Sequence, residues 1–363
     1  MEAVETSQKA HEDNQKIVPR LAPAAWSAAT LKKDQRWIFK LSQQDITELE
    51  AALAYTKMQN RAVPGITKED FPLPQLARKL EDIRAELETG FGVALVQGLP
   101  VEKYTKADAG VIYWGIGTHL GRFAPQNAFG DVLGHVYDLG KNPRVDMNAR
   151  GYQSNRMLPF HTDAADVVGL LCLRPAKAGG LSSIASSVTI HNEIAARRPD
   201  LLALLYGTYA YDRRGEEGPG EKPYTMAPIY TIHKGKLYNR FIRNYIESAQ
   251  RFPEVPRLTA PQIEALDLFD ELTRDPRFRF DMDFAPGDMQ FLNNYVVLHS
   301  RTEYEDYPET DRKRHLLRLW LFTPGMSDIP PIYKERHQIL KTWETNPRPP
   351  IYDVNEIMGV TNH

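Results

Sequence analysis

Residues 166–173 read Asp-Val-Val-Gly-Leu-Leu-Cys-Leu, a nearly continuous apolar run that ends just before Arg174-Pro175. Such a run is typical of a strand that is buried on both faces of a sheet. Working outward from it, the sequence predicts four more short strands, over residues 181–188, 278–284, 289–298 and 315–322. The second half of the chain is therefore predicted to be rich in β-structure.

Helical patterns come before these strands and between them. Residues 41–55 repeat apolar side chains at helical spacing behind Ser42, a good N-cap with Asp45 as its acidic partner. Further helices are predicted between Leu73-Pro74 and Gly90 and over 108–120, 191–205 and 259–273, and a hairpin is predicted around Lys234-Gly235. Helices followed by many short strands favour a mainly β fold with added helices, an antiparallel sandwich or jelly roll, over alternating β-α units.

The organisation predicted along the chain is one domain with extensions. Residues 1–20 are polar without periodicity and are predicted to form a disordered tail; residues 21–363 form a single domain. Within it we expect a helical part over about 41–120, a jelly-roll core over about 90–325 and a C-terminal extension over 326–363. The charged, glycine-rich residues 213–222 are the best candidate for a mobile segment, and whether they close over the site as a lid is left open by the sequence.

Composition narrows the classes of partner. With 45 basic and 47 acidic residues among 363, the formal charge is −2, so no basic surface for nucleic acid or an anionic membrane is expected. The single cysteine, Cys172, excludes an intrachain disulfide and a multi-thiolate metal site. No secretory apolar segment or stretch of about 18 apolar residues is present. We expect a cytoplasmic protein that acts on a small molecule. A homo-oligomer is compatible with the sequence.

The segment His161-Thr-Asp163 carries the first chemical signal. In an extended chain, side chains two residues apart point the same way, so the imidazole and the carboxylate would converge. His299, at the end of the predicted strand 289–298, is the best third ligand. Two histidines and one carboxylate form the facial triad of non-haem Fe(II) oxygenases, which leaves adjacent positions for a bidentate oxoacid and O2.

Two arginines supply the second signal. Arg314 and Arg318 lie on one face of the apolar segment 314–322, so one or both can point into the cavity that holds His299. A buried guanidinium needs an anionic partner, and its planar fork suits a carboxylate. The sequence therefore predicts that one or both arginines bind the carboxylate of the oxoacid that does not contact the metal, called here the far carboxylate.

The ordered motifs resemble those of the taurine dioxygenase (TauD/TfdA) family. They are His161-Thr-Asp163, Gly179-Gly180-Leu181-Ser182, Pro286-Gly287-Asp288, Asn294, His299, Arg314 and Arg318, and the resemblance spans roughly residues 90–325. The chain departs from the family pattern in having Ser182 where threonine is usual, and in a longer interval between His299 and the arginines.

This resemblance implies a double-stranded β-helix core of the clavaminate-synthase-like kind. It implies that His161, Asp163 and His299 hold Fe(II). It also implies that the Ser182 hydroxyl donates a hydrogen bond to the C5 carboxylate of 2-oxoglutarate. The main carboxylate arginine maps to Arg318, with Arg314 four residues before it. The expected reaction consumes O2, forms succinate and CO2, and hydroxylates, desaturates or cyclises a small polar or carboxylate-bearing metabolite.

Alternatives remain at this point. Five polar residues near the motifs could contact substrate or could serve only as structural hydrogen-bonding groups: Gln126, Asn127, Tyr152, Asn294 and Arg301. The same three metal ligands could activate water in a metal-dependent hydrolase. A catalytically silent jelly-roll binding protein is a third hypothesis.

Overall fold

The computed structural model describes residues 19–20, 22–140, 151–218 and 220–346, apart from the side chains of residues 335 and 336. The predicted tail over 1–20 lies outside this range except for its last two residues. Of these, Arg20 is fixed through its backbone, since its N–H donates to Asn192 Oδ1 at 2.7 Å and its carbonyl accepts from Asn192 Nδ2 at 3.0 Å.

A seven-stranded sheet forms one half of the core. Its strands are β1 (Ile38–Lys40), β2 (Val93–Gln97), β3 (Arg122–Phe123), β4 (Leu133–Val136), β6 (Val167–Arg174), β14 (Met289–Asn293) and β17 (His315–Phe322). The order is β1-β2-β14-β6-β17-β3, with β4 also paired to β17. The edge pair β1–β2 is parallel, which departs from the antiparallel prediction, and the other pairs of this sheet are antiparallel.

A four-stranded antiparallel sheet forms the other half. It has the order β13-β8-β15-β5, made of β5 (Leu158–His161), β8 (Ser182–Ser186), β13 (Arg279–Met282) and β15 (Val297–Arg301). Val168, Leu292 and Trp320 of the large sheet share one buried apolar cluster with Ile184 and Val297 of the small sheet. The two sheets therefore face each other, and the mainly β fold is as predicted.

Helices cover the outer faces. The first group is α1 (Ala28–Lys33), α2 (Gln43–Met58), α3 (Leu76–Thr89) and α4 (Lys106–Leu120). The second is α5 (Ser187–Arg197), α6 (Pro199–Leu205), α7 (Arg243–Ala249), α8 (Ala260–Arg274) and α9 (Pro331–Thr345). Helices α2–α4 pack on the large sheet, and α5, α6 and α8 pack on the small sheet. Ser42 and Asp45 form the predicted capping box of α2. Among the described residues, none of these helices has the length and apolarity to cross a bilayer.

Small hairpins complete the architecture. They are β9 (Thr208–Asp212) with β10 (Tyr224–Pro228), β11 (Tyr230–His233) with β12 (Lys236–Asn239), and β7 (Ala178–Gly179) with β16 (Tyr304–Glu305). The predicted turn at Lys234-Gly235 is present, with φ of 48° and 77°, the left-handed conformation that a two-residue hairpin turn requires.

Two predicted elements were wrong. The single strand over 289–298 is two strands, β14 and β15, that belong to different sheets. Asn293 makes the break because its Oδ1 accepts from Tyr295 N at 2.9 Å and its Nδ2 donates to the Leu87 carbonyl at 3.0 Å. The single helix over 191–205 is also two, because Arg198 leaves the helical conformation and Pro199 starts the next helix.

Candidate active site

Three potential metal ligands meet between the sheets. His161 ends β5 and His299 lies in β15, and the two residues are direct partners across this antiparallel pair. Their rings are therefore 4.2 Å apart between centroids. Asp163 follows β5, with Oδ1 3.8 Å from His161 Nε2 and Oδ2 3.8 Å from His299 Nε2. All the candidate ligand atoms lie within 4.8 Å of one another.

Hydrogen bonds orient this cluster. His161 Nδ1 donates to the Pro159 carbonyl at 2.8 Å, which leaves the Nε2 lone pair directed toward Asp163. Trp320 Nε1 donates to Asp163 Oδ2 at 2.9 Å. The Asn294 side chain bridges the loop that follows β5: its Oδ1 accepts from Asp163 N at 2.9 Å, and its Nδ2 donates to the Ala165 carbonyl at 2.9 Å. The carboxylate is thereby held in one orientation.

The electrostatics favour a cation. Burial lowers the pKa of His161, and it lowers the pKa of His299 to about 3, so both imidazoles are neutral at pH 7. Burial alone would raise the pKa of Asp163, but Arg318 and the two histidines outweigh it and hold that pKa at about 2. Two neutral imidazoles and one carboxylate are the donor set that a divalent iron ion accepts.

A narrow cavity extends from these ligands into the space between the sheets. Its walls include Ser182 of β8, Arg301 of β15, and Arg314 and Arg318. Arg314 Nη1 and two nitrogens of Arg301 are buried and have no hydrogen-bond partner among the described residues. Burial lowers the pKa of Arg314 and, to about 10, that of Arg301.

Buried guanidinium nitrogens without a hydrogen-bond partner are costly, so this cavity suits an anion that would accept from them. The Arg314 guanidinium lies over the Tyr304 ring at 5.1 Å and that of Arg301 lies over the same ring at 4.7 Å. The residues present therefore fit a metal ion with a bound dicarboxylate: nitrogen and oxygen ligands at one end, and arginine donors along the wall.

Arg318 lies at the junction of two cavities. Its Nε donates to Gln126 Oε1 at 2.6 Å, while Gln126 Nε2 donates back to the Arg318 carbonyl at 2.8 Å. The guanidinium is 4.6 Å from the Tyr152 ring centroid and 5.2 Å from that of Trp320. Arg318, Tyr152, His161 and Asp163 also line a second, wider cavity. Both cavities therefore reach the cluster of His161 and Asp163.

The chain matches the family model described as taurine catabolism dioxygenase TauD, TfdA family, over residues 56–320. It belongs to this family. An FR-33289 synthase of Streptomyces rubellomurinus is 35% identical over 311 residues, covering 84% of this chain and 90% of the relative. A taurine hydroxylase-like protein of Stachybotrys chartarum is 32% identical over 326 residues, covering 84% and 82%.

Solved structures of similar fold support the architecture of this TauD/TfdA-family chain. An asparagine oxygenase complexed with Fe(II), 3-hydroxyasparagine and succinate has a TM-score of 0.61 at 18% identity, covering 79% of this chain and 94% of that one. The non-haem iron oxygenase OrfP with iron and α-ketoglutaric acid has a TM-score of 0.56 at 13% identity, covering 78% and 94%. The TauD/TfdA chain is a 2-oxoglutarate-dependent dioxygenase that uses iron.

Of the five residues that the sequence offered as substrate contacts in this family member, two line a cavity and three do not. Tyr152 lines both cavities and Arg301 lines the narrow one. Asn294 instead fixes the Asp163 loop, and Gln126 holds Arg318. Asn127 shapes its own loop, with Nδ2 donating to Asp131 Oδ2 at 2.8 Å and Oδ1 accepting from Phe129 N at 3.0 Å. None of these three is among the residues that line the two cavities.

Two contributions to the dioxygenase site were not predicted. Trp320 was not among the predicted site residues, yet its indole N–H donates to Asp163, a candidate metal ligand. Its place two residues after Arg318, on the same face of the strand, was the available signal. Ile339, Leu340 and Trp343 of α9 line the wide cavity. Nothing in the local sequence of α9 indicates this role, because it depends on how the C-terminal extension packs against the core.

Proposed function

We propose that this chain uses His161, Asp163 and His299 to hold Fe(II) and oxidises a small polar or carboxylate-bearing metabolite, with hydroxylation as the default outcome. O2 and 2-oxoglutarate are consumed, and succinate and CO2 are formed. One observation carries the proposal: three ligand atoms within 4.8 Å of one another lie at the head of a cavity that contains unpaired buried arginine nitrogens.

Iron and 2-oxoglutarate, when bound, supply the O2-dependent oxidation, and the chain supplies orientation and a dry pocket. Trp320 and Asn294 keep the Asp163 carboxylate and its loop in place, and the Pro159 carbonyl keeps His161 in one tautomer. Outer contacts of this kind maintain the geometry of the ligands.

Two arginines suit the two ends of 2-oxoglutarate. The charge of Arg318 acts directly on Asp163, so Arg318 lies near the metal end. The Arg314 guanidinium instead lies over the Tyr304 ring at 5.1 Å, and by geometric criteria its buried Nη1 has no hydrogen-bond partner among the described residues. We assign the far carboxylate to Arg314 with the Ser182 hydroxyl, and the neighbourhood of the metal to Arg318. A bidentate fork on a carboxylate gives such an anchor both strength and geometry.

The wide cavity is the proposed substrate site. Tyr152, Trp320 and Ile242 give it apolar surface, and Arg240 and Arg318 bring positive charge to it. Arg240 is held over the Tyr211 ring at 4.3 Å and donates to Thr225 Oγ1 at 3.2 Å. A small acid with an apolar part fits this lining. The structural neighbours solved with 3-hydroxyasparagine and with (3S)-hydroxy-L-Arg support hydroxylation of a carboxylate-bearing metabolite.

A metabolite screen tests the proposed function. The wild-type chain with Fe(II), 2-oxoglutarate and O2 is incubated with single metabolites, and succinate is measured. We expect a subset of small acids to raise succinate above the level of His161→Ala, because that variant lacks a metal ligand. A panel of small polar and carboxylate-bearing compounds in which none exceeds the His161→Ala level would contradict the proposed substrate class.

Adjacent serines provide a matched pair for the cosubstrate site. Ser182 lines the narrow cavity, where its single O–H donates to Gln290 Oε1 at 3.0 Å and would turn to a bound carboxylate, whereas Ser183 Oγ donates to Asp281 Oδ1 at 2.5 Å. Ser182→Ala is expected to raise the KM for 2-oxoglutarate about tenfold, since a hydrogen bond to a charged group is lost. Ser183→Ala, which removes the same hydroxyl from the next residue, should leave this KM within about twofold. Equal effects of the two substitutions would contradict the assignment.

A further inference from the structure

The C-terminal helix α9 turns one face toward the wide cavity. Ile339, Leu340 and Trp343 follow one another at i, i+1 and i+4, so they share one face of the helix, and all three line the cavity beside His161 and Asp163. The helix begins at Pro331, beyond residue 320 where the family match ends. The wall that it forms is thus contributed from outside the matched region.

The first half of α9 is tied to the core. Tyr333 is fully buried and packs against Tyr295 and Tyr238, at 5.5 Å and 6.1 Å between ring centroids. His337 Nε2 lies 3.3 Å from Asp166 Oδ1, and its ring is 4.1 Å from that of Phe322. These contacts set the position of the helix axis.

Asp166 links the His337 contact of α9 to the loop that carries Asp163. It lies three residues after Asp163 and is almost fully buried. Its Oδ1 also accepts from Tyr295 OH at 2.6 Å, its Oδ2 accepts from Thr323 N at 3.0 Å, and its carbonyl accepts from Asn294 N at 2.9 Å. A chain of polar contacts thus runs from His337 of α9 through Asp166 and Asn294 to Asp163.

The second half of α9 meets the loop between β9 and β10. Trp343 Nε1 donates to the Glu216 carbonyl at 3.4 Å, and Glu216 lines the cavity together with Arg213. The indole thus contacts this loop within residues 213–222, the segment predicted from sequence to be mobile. The apolar wall of α9 faces a cavity whose other lining includes Arg240 and Thr225.

We propose that α9 is a substrate-recognition element in which Trp343 sets the length of the apolar part that the cavity accepts. The inference rests on the proposed function, because it takes the wide cavity as the substrate site. It assigns the substrate class more narrowly: an acid whose apolar chain lies against Ile339, Leu340 and Trp343. Shortening the indole extends the cavity at the end formed by α9 and the β9–β10 loop.

The test uses straight-chain monocarboxylates of increasing length, from butyrate to dodecanoate, as probes. Each is titrated anaerobically into the chain loaded with Fe(II) and 2-oxoglutarate, and its Kd is read from the change in the visible absorption band of the loaded protein. We expect a preferred length in the wild type. In Trp343→Ala the preferred acid should bind about tenfold more weakly, and the optimum should move to longer chains.

Two further variants separate the roles of the indole. Trp343→Phe keeps an aromatic wall but loses the donor to Glu216, so it should retain the wild-type length optimum. Lys341→Ala, at an exposed position of the same helix, should match the wild type throughout. A length profile of Trp343→Ala identical to that of the wild type would overturn the role of α9.

Failure of the proposed function gives a different result. If the visible band does not form at all, the iron and 2-oxoglutarate assignment is wrong, and the inference is overturned with it. If the band forms normally but none of the acids binds, the metal centre stands and the substrate class proposed for α9 is overturned.

Discussion

His299→Ala is expected to abolish Fe(II) binding and 2-oxoglutarate turnover. One of three protein ligands is lost, and substitutions even among the residues that only support ligands commonly reduce metal affinity about 10–100-fold. We therefore expect the iron affinity to fall by more than about a hundredfold and succinate formation to drop to background. Anaerobic equilibrium dialysis against Fe(II), followed by metal analysis, measures the first effect directly.

His233→Ala is the matched control for this experiment. His233 lies at the end of β11, 3.1 Å from Asp328, and is not part of the cluster of His161, Asp163 and His299. Its removal should leave iron binding unchanged. Full retention of iron by His299→Ala, with a melting temperature near that of the wild type, would exclude His299 as a ligand.

The second large effect is expected at Arg314. Its guanidinium is buried, has an unpaired Nη1 among the described residues and lines the narrow cavity proposed to hold 2-oxoglutarate. Truncating one partner of a buried, hydrogen-bonded charge pair costs about 2–5 kcal/mol. Arg314→Ala should thus raise the KM for 2-oxoglutarate by about a hundredfold or more. Arg314→Lys should recover only part of this loss, because an ammonium group lacks the bidentate fork.

Arg312→Ala provides the control two residues away. Arg312 is exposed, stacks on Tyr307 at 3.7 Å and pairs with Glu309 at 3.6 Å. Its removal should leave the KM for 2-oxoglutarate within about twofold of the wild type. An unchanged KM in Arg314→Ala, together with a large increase in Arg318→Ala, would exchange the roles assigned to the two arginines.

Local signals predicted much of the fold. The capping box of Ser42 and Asp45, the turn at Lys234-Gly235 and the apolar run of β6 each depend on residues close together in sequence. The break between β14 and β15 could not be predicted in the same way. An apolar run looks alike in one sheet or two, and Asn293 makes the turn partly through the distant carbonyl of Leu87.

The candidate site likewise contains residues that local sequence predicts and residues whose role depends on contacts between distant segments. His161 and Asp163 are neighbours in sequence, and the position of His299 opposite them follows from strand pairing. In contrast, the role of Gln126 depends on a contact with Arg318 across 192 positions, and the part played by α9 depends on packing against Asp166. Periodicity and motif spacing carry no information about such contacts between distant segments.

The central claim is that His161, Asp163 and His299 hold one iron ion beside a bound 2-oxoglutarate. Anaerobic titration of the wild-type chain with Fe(II), in the presence of 2-oxoglutarate, tests it most directly through the weak visible charge-transfer band of the chelate. We predict a band that grows until one Fe(II) is bound per chain and that is absent in His299→Ala. No band in the wild type at saturating iron, or an equal band in His299→Ala, would contradict the account.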